Sequence, residues 1–355
     1  MGLEDATTAV FARHETFHPR YGWFRKAYST VATDPQAFGR ESAPVDIGVG
    51  KNMVRSIRFW GLAARLIIED SGCPNKRSPD LLPTRFGHAL FGQTGWDPYM
   101  EDPGTLWLLH WMLLAPPSRL PVWWFAFNEF HPLEFDGDDL ELAFTARLKA
   151  ATSWKEPKGS SIGKDVAALI RTYSRGDGKK RSGIDDLLDC PLRELHLIDR
   201  SAATHRYRFT AGAKATLPSE VALFATLDYL DRVNVAGKTV MLSRLTTELG
   251  SPAMAFKLNE SDFVSALEPA LNEQDGLILS SPNGAPQLGW KGELAAHAVE
   301  VLNRYYPNAA ALDSAGLKGN VRIDDSVAAS IGLSRDESDF MRHSGADPTL
   351  SLRVS

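Results

Sequence analysis

The feature that most constrains this chain is a glycine-punctuated turn, Ile47-Gly48-Val49-Gly50, that opens into a two-striped segment. Lys51, Arg55 and Arg58 lie at i, i+4 and i+7, so in a helix they share one face. Val54, Ile57 and Gly61 fall on a second face that can pack inward. The flanking segments fit a small helical bundle. Residues 20–32 predict a helix with an apolar side and with Arg25 and Lys26 opposite. Asp34 and Pro35 supply an N-cap and a first-turn proline for a short second helix, which Ser42-Ala43-Pro44 ends. The striped helix is expected over 51–65, a strand over 66–70, and a polar loop with Lys76 and Arg77 over 71–79. Residues 81–91 read as a strand running into a short helix. Helix, helix, turn, helix, strand, loop, strand is the order of a winged helix-turn-helix. The basic face, with Asn52 at its start, suits the major groove, and the loop carrying Lys76 and Arg77 would be the wing. A winged helix used for protein contacts, or a solvated basic face, leaves the same pattern.

Charge placement decides whether nucleic acid is an admissible partner. The formal net charge is −5, which taken alone argues against it. Residues 11–96, however, carry twelve Lys/Arg against seven Asp/Glu, and residues 153–182 carry eight against three. Local charge, not the total, sets whether a surface attracts phosphate. The 355 residues exceed one small core and suggest two domains or three small ones. The longest apolar stretch, 106–117, falls short of the roughly 20 residues a membrane span needs. An acidic start without an apolar run gives no secretory signal. Two cysteines, Cys73 and Cys190, with no CxxC exclude a zinc ribbon and suit a reducing cytoplasm.

Past residue 96 the pattern is helical. Trp107, Trp111, Trp123, Trp124, Phe125, Phe127 and Phe130 are read as core; alone they would also serve as a base-stacking platform. Residues 160–175 form an amphipathic helix, 185–198 a further helical segment, and 205–210 alternate like a strand. Helices are expected over 219–230, 242–249, 259–272 and 293–306, with a strand at 277–279 and a turn at 281–285. The fold class is therefore mainly α with small β wings (α+β). The expected division is 11–96 as the winged helix-turn-helix, 97–150 as an aromatic-rich helical core and 151–310 as a helical C-terminal domain. That last domain either contains a second winged helix or resembles one. Residues 311–355 read as a loosely attached tail.

Three local motifs carry chemistry. Gly48-x-Gly50-Lys51-Asn52 lacks the earlier glycine and the Ser or Thr of a phosphate loop, so a nucleotide site is rejected. His14-Glu15-Thr16-Phe17-His18 matches HExxH, but that chemistry needs a continuous helix, and Pro19 disfavours helical geometry at His18. Asp97, Glu101 and Asp102 place three carboxylates in six residues. Such a group holds Mg2+ or, before Pro103, caps a helix.

Several runs together resemble a known family: Phe11-Ala12-Arg13-His14-Glu15-Thr16-Phe17 with Arg20-Tyr21-Gly22-Trp23 and Lys26, and 47–60 throughout. Trp96-Asp97-Pro98-Tyr99, 105–111, Trp123-Trp124 and Phe127-Asn128 add to it. The chain is similar to the SspB-like components of bacterial single-strand DNA phosphorothioation and anti-phage defence systems. The resemblance is specific over 11–130 and thinner beyond, where Asp165-Val166 and Cys190-Pro191-Leu192 are weaker matches. It implies a DNA nickase acting on double-stranded DNA beside a cysteine desulfurase, an ATP pyrophosphatase and an ATPase. It also implies Mg2+, because phosphodiester hydrolysis commonly uses a divalent metal. No catalytic assignment carries over, and no PD-(D/E)xK, HNH or GIY-YIG pattern is present. A non-catalytic DNA-binding subunit remains the alternative. If the chain cuts DNA, His14 and Glu15 are the expected catalytic pair, with Arg20, Arg25 and Lys26 holding phosphate. Asp97, Glu101 and Asp102 are the expected metal ligands.

Overall fold

The computed structural model describes residues 1–70, 73–75, 78–151, 153–155, 157, 159–174 and 190–307. It is mainly helical with small antiparallel sheets, the α+β class expected. The first elements are α1 (Leu3–Ala6), α2 (Trp23–Thr33), α3 (Ala43–Ile47), α4 (Lys51–Ala63), β1 (Ile67–Glu69), β2 (Leu81–Pro83) and α5 (Arg85–Phe91). Then come α6 (Pro103–Leu114), α7 (Pro121–Asn128), α8 (Gly137–Lys149), α9 (Ser161–Tyr173), β3 (Ile198–Arg200) and β4 (Tyr207–Phe209). The last are α10 (Ser219–Arg232), β5 (Thr239–Met241), α11 (Leu242–Thr247), α12 (Pro252–Phe256), α13 (Glu260–Asn272), β6 (Leu277–Ser280), β7 (Gln287–Trp290) and α14 (Leu294–Tyr305).

Contacts divide the described residues into two compact units: 1–21 with 103–291, and 22–102 with the chain from 292 to 307. These do not follow the linear segments 11–96, 97–150 and 151–310, because each unit is completed by chain from the far end of the sequence. The expected tail 311–355, and the expected helical residues 185–189, lie outside the described residues.

In the smaller unit, α4 packs on α2 through its predicted apolar face. Val54 and Ile57 are buried, and Gly61 permits the close approach: a Cβ there would sit 2.6 Å from Ala27 Cβ. Gly48 closes α3 in the left-handed conformation (φ 71°), which a glycine adopts without steric cost. One boundary differs from expectation. Residues 42–44 begin a helix instead of ending one, because Pro44 is tolerated in the first turn, where an N–H has no helical partner. Upstream, Asp34 makes a local turn by accepting from Gln36 N (3.0 Å), and only a short 3-10 segment, Ala37–Gly39, follows. β1 and β2 form an antiparallel pair, Ile68 opposite Leu82. Thr84 caps α5 by accepting from Gly87 N (2.9 Å). The C-terminal α14 completes this unit: Tyr306 stacks on Trp96 at 4.9 Å, and Tyr305 Oη donates to Asp102 (2.7 Å).

The larger unit is built round α6, whose residues Gly104–Leu114 are all buried, as an apolar-all-round helix must be. Trp107, Trp111, Trp123 and Trp124 are at most 1% exposed, so the aromatic segment is core and not a base-stacking surface. α8 starts with a reciprocal capping box between Asp136 and Asp139. Beyond β4 the order is α10, β5, α11, α12, α13, β6, β7, with the last three strands arranged β5-β7-β6. β5 and β7 were not expected: one has three residues, and the other follows a Pro/Gly-rich turn that reads as loop.

His110 illustrates how this core handles a polar group. Ala255 O can only accept, so Nε2 carries the proton and donates to it (2.9 Å), and Nδ1 accepts from Tyr173 Oη (2.8 Å). Burial pushes the pKa of His110 down to about 4. In the larger unit burial, aided by Arg193, Arg171 and Arg20, likewise pushes His18 down to about 3. Both rings are neutral in the fold, whereas the unfolded chain takes up protons below its ordinary histidine pKa of about 6.5. Stability is therefore expected to be full above that pH and to fall steadily as pH drops from 6.5 towards 4. Urea titrations across pH 4–8 measure this. His110→Gln and His18→Gln should each flatten the decline, and an undiminished slope in both variants would contradict it.

Candidate functional site

The expected DNA-binding residues separate into distinct groups. Lys51, Asn52 and Arg55 are exposed on the first turns of α4. Arg58, on the same predicted stripe, instead donates to Glu69 Oε1 on β1 (2.7 Å). Its charge is matched there, so it leaves the basic face that the helical spacing assigned to it. Lys26 donates to Ile47 O (3.0 Å), the last carbonyl of α3, and so serves the helix end. The Arg25 guanidinium lies 4.4 Å over the Tyr99 ring. Lys76 and Arg77 lie outside the described residues.

The expected metal ligands are not assembled as a centre. Both oxygens of the buried Asp97 accept backbone N–H groups, from Glu101 and Asp102, each at 3.0 Å. Asp102 accepts from Tyr305, on α14, and Glu101 is exposed. Among the described residues no group of three or more His, Cys, Asp or Glu is placed to hold a metal ion. The residues present therefore do not fit a three-carboxylate Mg2+ centre. Asp97 instead closes the turn that leads into α6 by satisfying two of its backbone N–H groups. Cys73 and Cys190 are free and buried, and burial raises the Cys190 thiol pKa well above its usual range.

The expected catalytic pair sits in a loop of the larger unit. The HExxH letters do not form a helix: Ala12, Glu15 and Thr16 all have left-handed φ, at 53°, 51° and 67°. His14 and His18 therefore do not share a helix face, and a zincin arrangement does not form. His14 is 1% exposed and faces Trp123 edge-on. Its Nε2 meets Asp165 Oδ1 on α9 at 2.6 Å, and Ala12 N donates to the same oxygen (2.9 Å). Burial raises the Asp165 carboxyl pKa, against the opposing pull of His14. This pair anchors the loop and fixes which imidazole nitrogen carries the proton. It also keeps the ring away from solvent, so His14 does not present itself to a duplex in this conformation. Sequence spacing gave no signal for the 151-residue link between His14 and Asp165.

The family follows from comparison over the whole chain. A family model described as a protein of unknown function (DUF4007) matches residues 11–306. The chain belongs to that family. It is also SspB-like in structure. An SspB crystal structure is 34% identical, with 96% of this chain and 95% of that one covered and a TM-score of 0.80. A magnesium ion-bound SspB crystal structure is 33% identical, with 98% and 96% covered and a TM-score of 0.81. No curated protein matches the chain. Among the described residues no helix is long and apolar enough to cross a membrane.

Proposed function

We propose that this DUF4007 protein is the SspB-like component of a DNA phosphorothioation system, and that it binds duplex DNA and nicks it. The observation that carries the reading is the near-full-length likeness to SspB at 34% identity. The order α2, α3, α4, β1, β2 supports reading the smaller unit as a winged helix-turn-helix, with Lys51, Asn52 and Arg55 as its DNA-facing residues. The order α10 to β7 supports a second winged-helix-like module in the larger unit. Its last helix, α13, exposes Glu260 and Glu268, which repel phosphate, so this module is assigned to protein contacts. A cysteine desulfurase, an ATP pyrophosphatase or an ATPase is the kind of partner such a system supplies.

Nicking requires a group that activates water and groups that stabilise the charge developing on phosphorus. His14 and Glu15 are the proposed loop for this step, with Asp165 orienting the imidazole. The burial of His14 favours a second reading, in which the chain positions DNA and a partner cuts it. Incubation of pure protein with supercoiled plasmid, with and without Mg2+, separates the two. Conversion to open circle, abolished in His14→Ala and Asp165→Asn variants that still bind DNA, is the expected result. Binding without conversion under either condition would favour the second reading.

A further inference from the structure

We propose that Tyr99 and Arg25 form a platform for one unpaired nucleotide of DNA on the smaller unit. The open face of the Tyr99 ring stacks on the base, and the Arg25 guanidinium takes a phosphate of the same strand. That the nucleotide belongs to DNA rests on the function proposed above.

Tyr99 stands at the tip of a turn that is tied down on both sides. Trp96 N donates to Ala89 O (2.7 Å) and Asp97 N to Leu90 O (3.2 Å), which fixes the turn to the end of α5. The Trp96 ring stacks on Tyr306. Asp97 is buried and closes the turn through Glu101 N and Asp102 N. Met100 is buried too, and is left-handed at φ 55°. Between these anchors Tyr99 is 62% exposed. A turn held in this way sets where the ring emerges before anything binds to it. Arg25 reaches one face of the ring from α2, with Cζ 4.4 Å from the centroid. Among the described residues its half-buried guanidinium makes no hydrogen bond and no ion pair. Arg40 and Arg58 of the same unit are matched by Asp34 and Glu69, whereas the N–H groups of Arg25 are left to donate elsewhere.

A single exposed ring needs no explanation by itself. An exposed ring on a fixed tip, with an open guanidinium fork on one face, fits a nucleotide. The fork matches phosphate oxygens two at a time, and the other face of the ring is free to stack. A protein partner fits less well, because its interface needs a cluster of apolar side chains at the centre. Among the described residues of the smaller unit, Val45 and Tyr99 are the large apolar side chains that stand exposed. Around Tyr99 the exposed residues Gln93, Thr94 and Glu101 are polar. One ring is enough for one base. Bases inside a duplex are covered on both faces by their neighbours, so the base must be unpaired, as at a strand end frayed beside a nick. Every base has a π face, so the platform is indifferent to sequence. Glu101 adds a negative charge near the tip, so stacking contributes more than charge.

The test uses the full chain and three labelled probes: a short thymidine strand, an abasic strand of the same length, and a blunt duplex. Fluorescence anisotropy reads the affinities, and thermal midpoints check that each variant folds. The wild type should hold the thymidine strand more tightly than the abasic one. Tyr99→Ala should weaken the thymidine strand about 5- to 150-fold, leave the salt slope unchanged and abolish the difference between the two strands. Tyr99→Phe, which keeps the ring, should behave as the wild type does. Arg25→Gln should keep the preference for bases and lower the slope of log affinity against log salt by about 0.7, the share of one phosphate on a single strand. Equal affinity of the wild type and Tyr99→Ala for the thymidine strand overturns the platform and leaves the ring to a protein contact. A wild type that binds both strands alike, or neither, overturns it as well. If the duplex is bound through Lys51 and Arg55 without any preference for bases, the platform fails and the proposed function stands. If the preference depends on Tyr99 while the duplex is not bound, the duplex reading fails and the platform stands.

Discussion

A chain in which Lys51 and Arg55 are both alanine is expected to bind duplex DNA about 60-fold more weakly at 0.1 M salt, with the salt slope reduced by about 1.8. The figure follows from two released counterions at about 0.9 each, with no other contact changed. Both side chains are exposed, so the thermal midpoint should stay within experimental error of the wild type. Arg58→Ala is the informative control. Arg58 is paired with Glu69, and the two side chains are 32% and 36% exposed, so its loss should leave the salt slope unchanged. Fluorescence anisotropy with a labelled duplex across 50–300 mM salt reads all three slopes. Wild-type affinity and slope in the double variant would remove α4 from the interface, and a slope change in Arg58→Ala would restore that residue to it.

The largest stability effect is expected in the core of the larger unit, at Asp228. Its Oδ2 accepts from Trp111 Nε1 (2.9 Å) and from Arg232 Nε (2.7 Å), while Arg232 Nη1 donates to Pro116 O (3.0 Å). The two charged side chains are 1% and 3% exposed. Asp228→Ala leaves a buried guanidinium without its counter-charge, at a cost of about 3–5 kcal/mol. That is a large part of a typical domain's net stability of about 5–15 kcal/mol. Replacing both partners, Asp228→Leu with Arg232→Met, should recover only part of the loss: it removes the unpaired charge but takes the partners from Trp111 Nε1 and Pro116 O. Urea unfolding of the three chains measures this. A loss under about 1 kcal/mol in Asp228→Ala would show that the pair contributes no more than a surface ion pair does.

The sequence by itself determined what depends on spacing along the chain. The alternation in 51–63 set which face of α4 is buried, and Val54 and Ile57 are in the core as it required. The tryptophan-rich segment set a buried centre. The runs over 11–130 were also enough to place the chain among SspB-like proteins, as the whole-chain likeness bears out. Tertiary structure alone decided which charged groups are spoken for. Arg58 lost its place on the basic face to Glu69, eleven residues away across a turn. Asp97 turned its oxygens onto the next turn's N–H groups, and Asp102 met Tyr305 from the far end of the chain. His14 was buried against Asp165, and Arg171 reached Thr16 O from the far side of the same unit's sequence. The physical reason is the same in each case. Helical periodicity is a local property and says which face turns inward, but hydrogen-bond and ion-pair partners are chosen by which distant segments the packed core brings within about 3 Å.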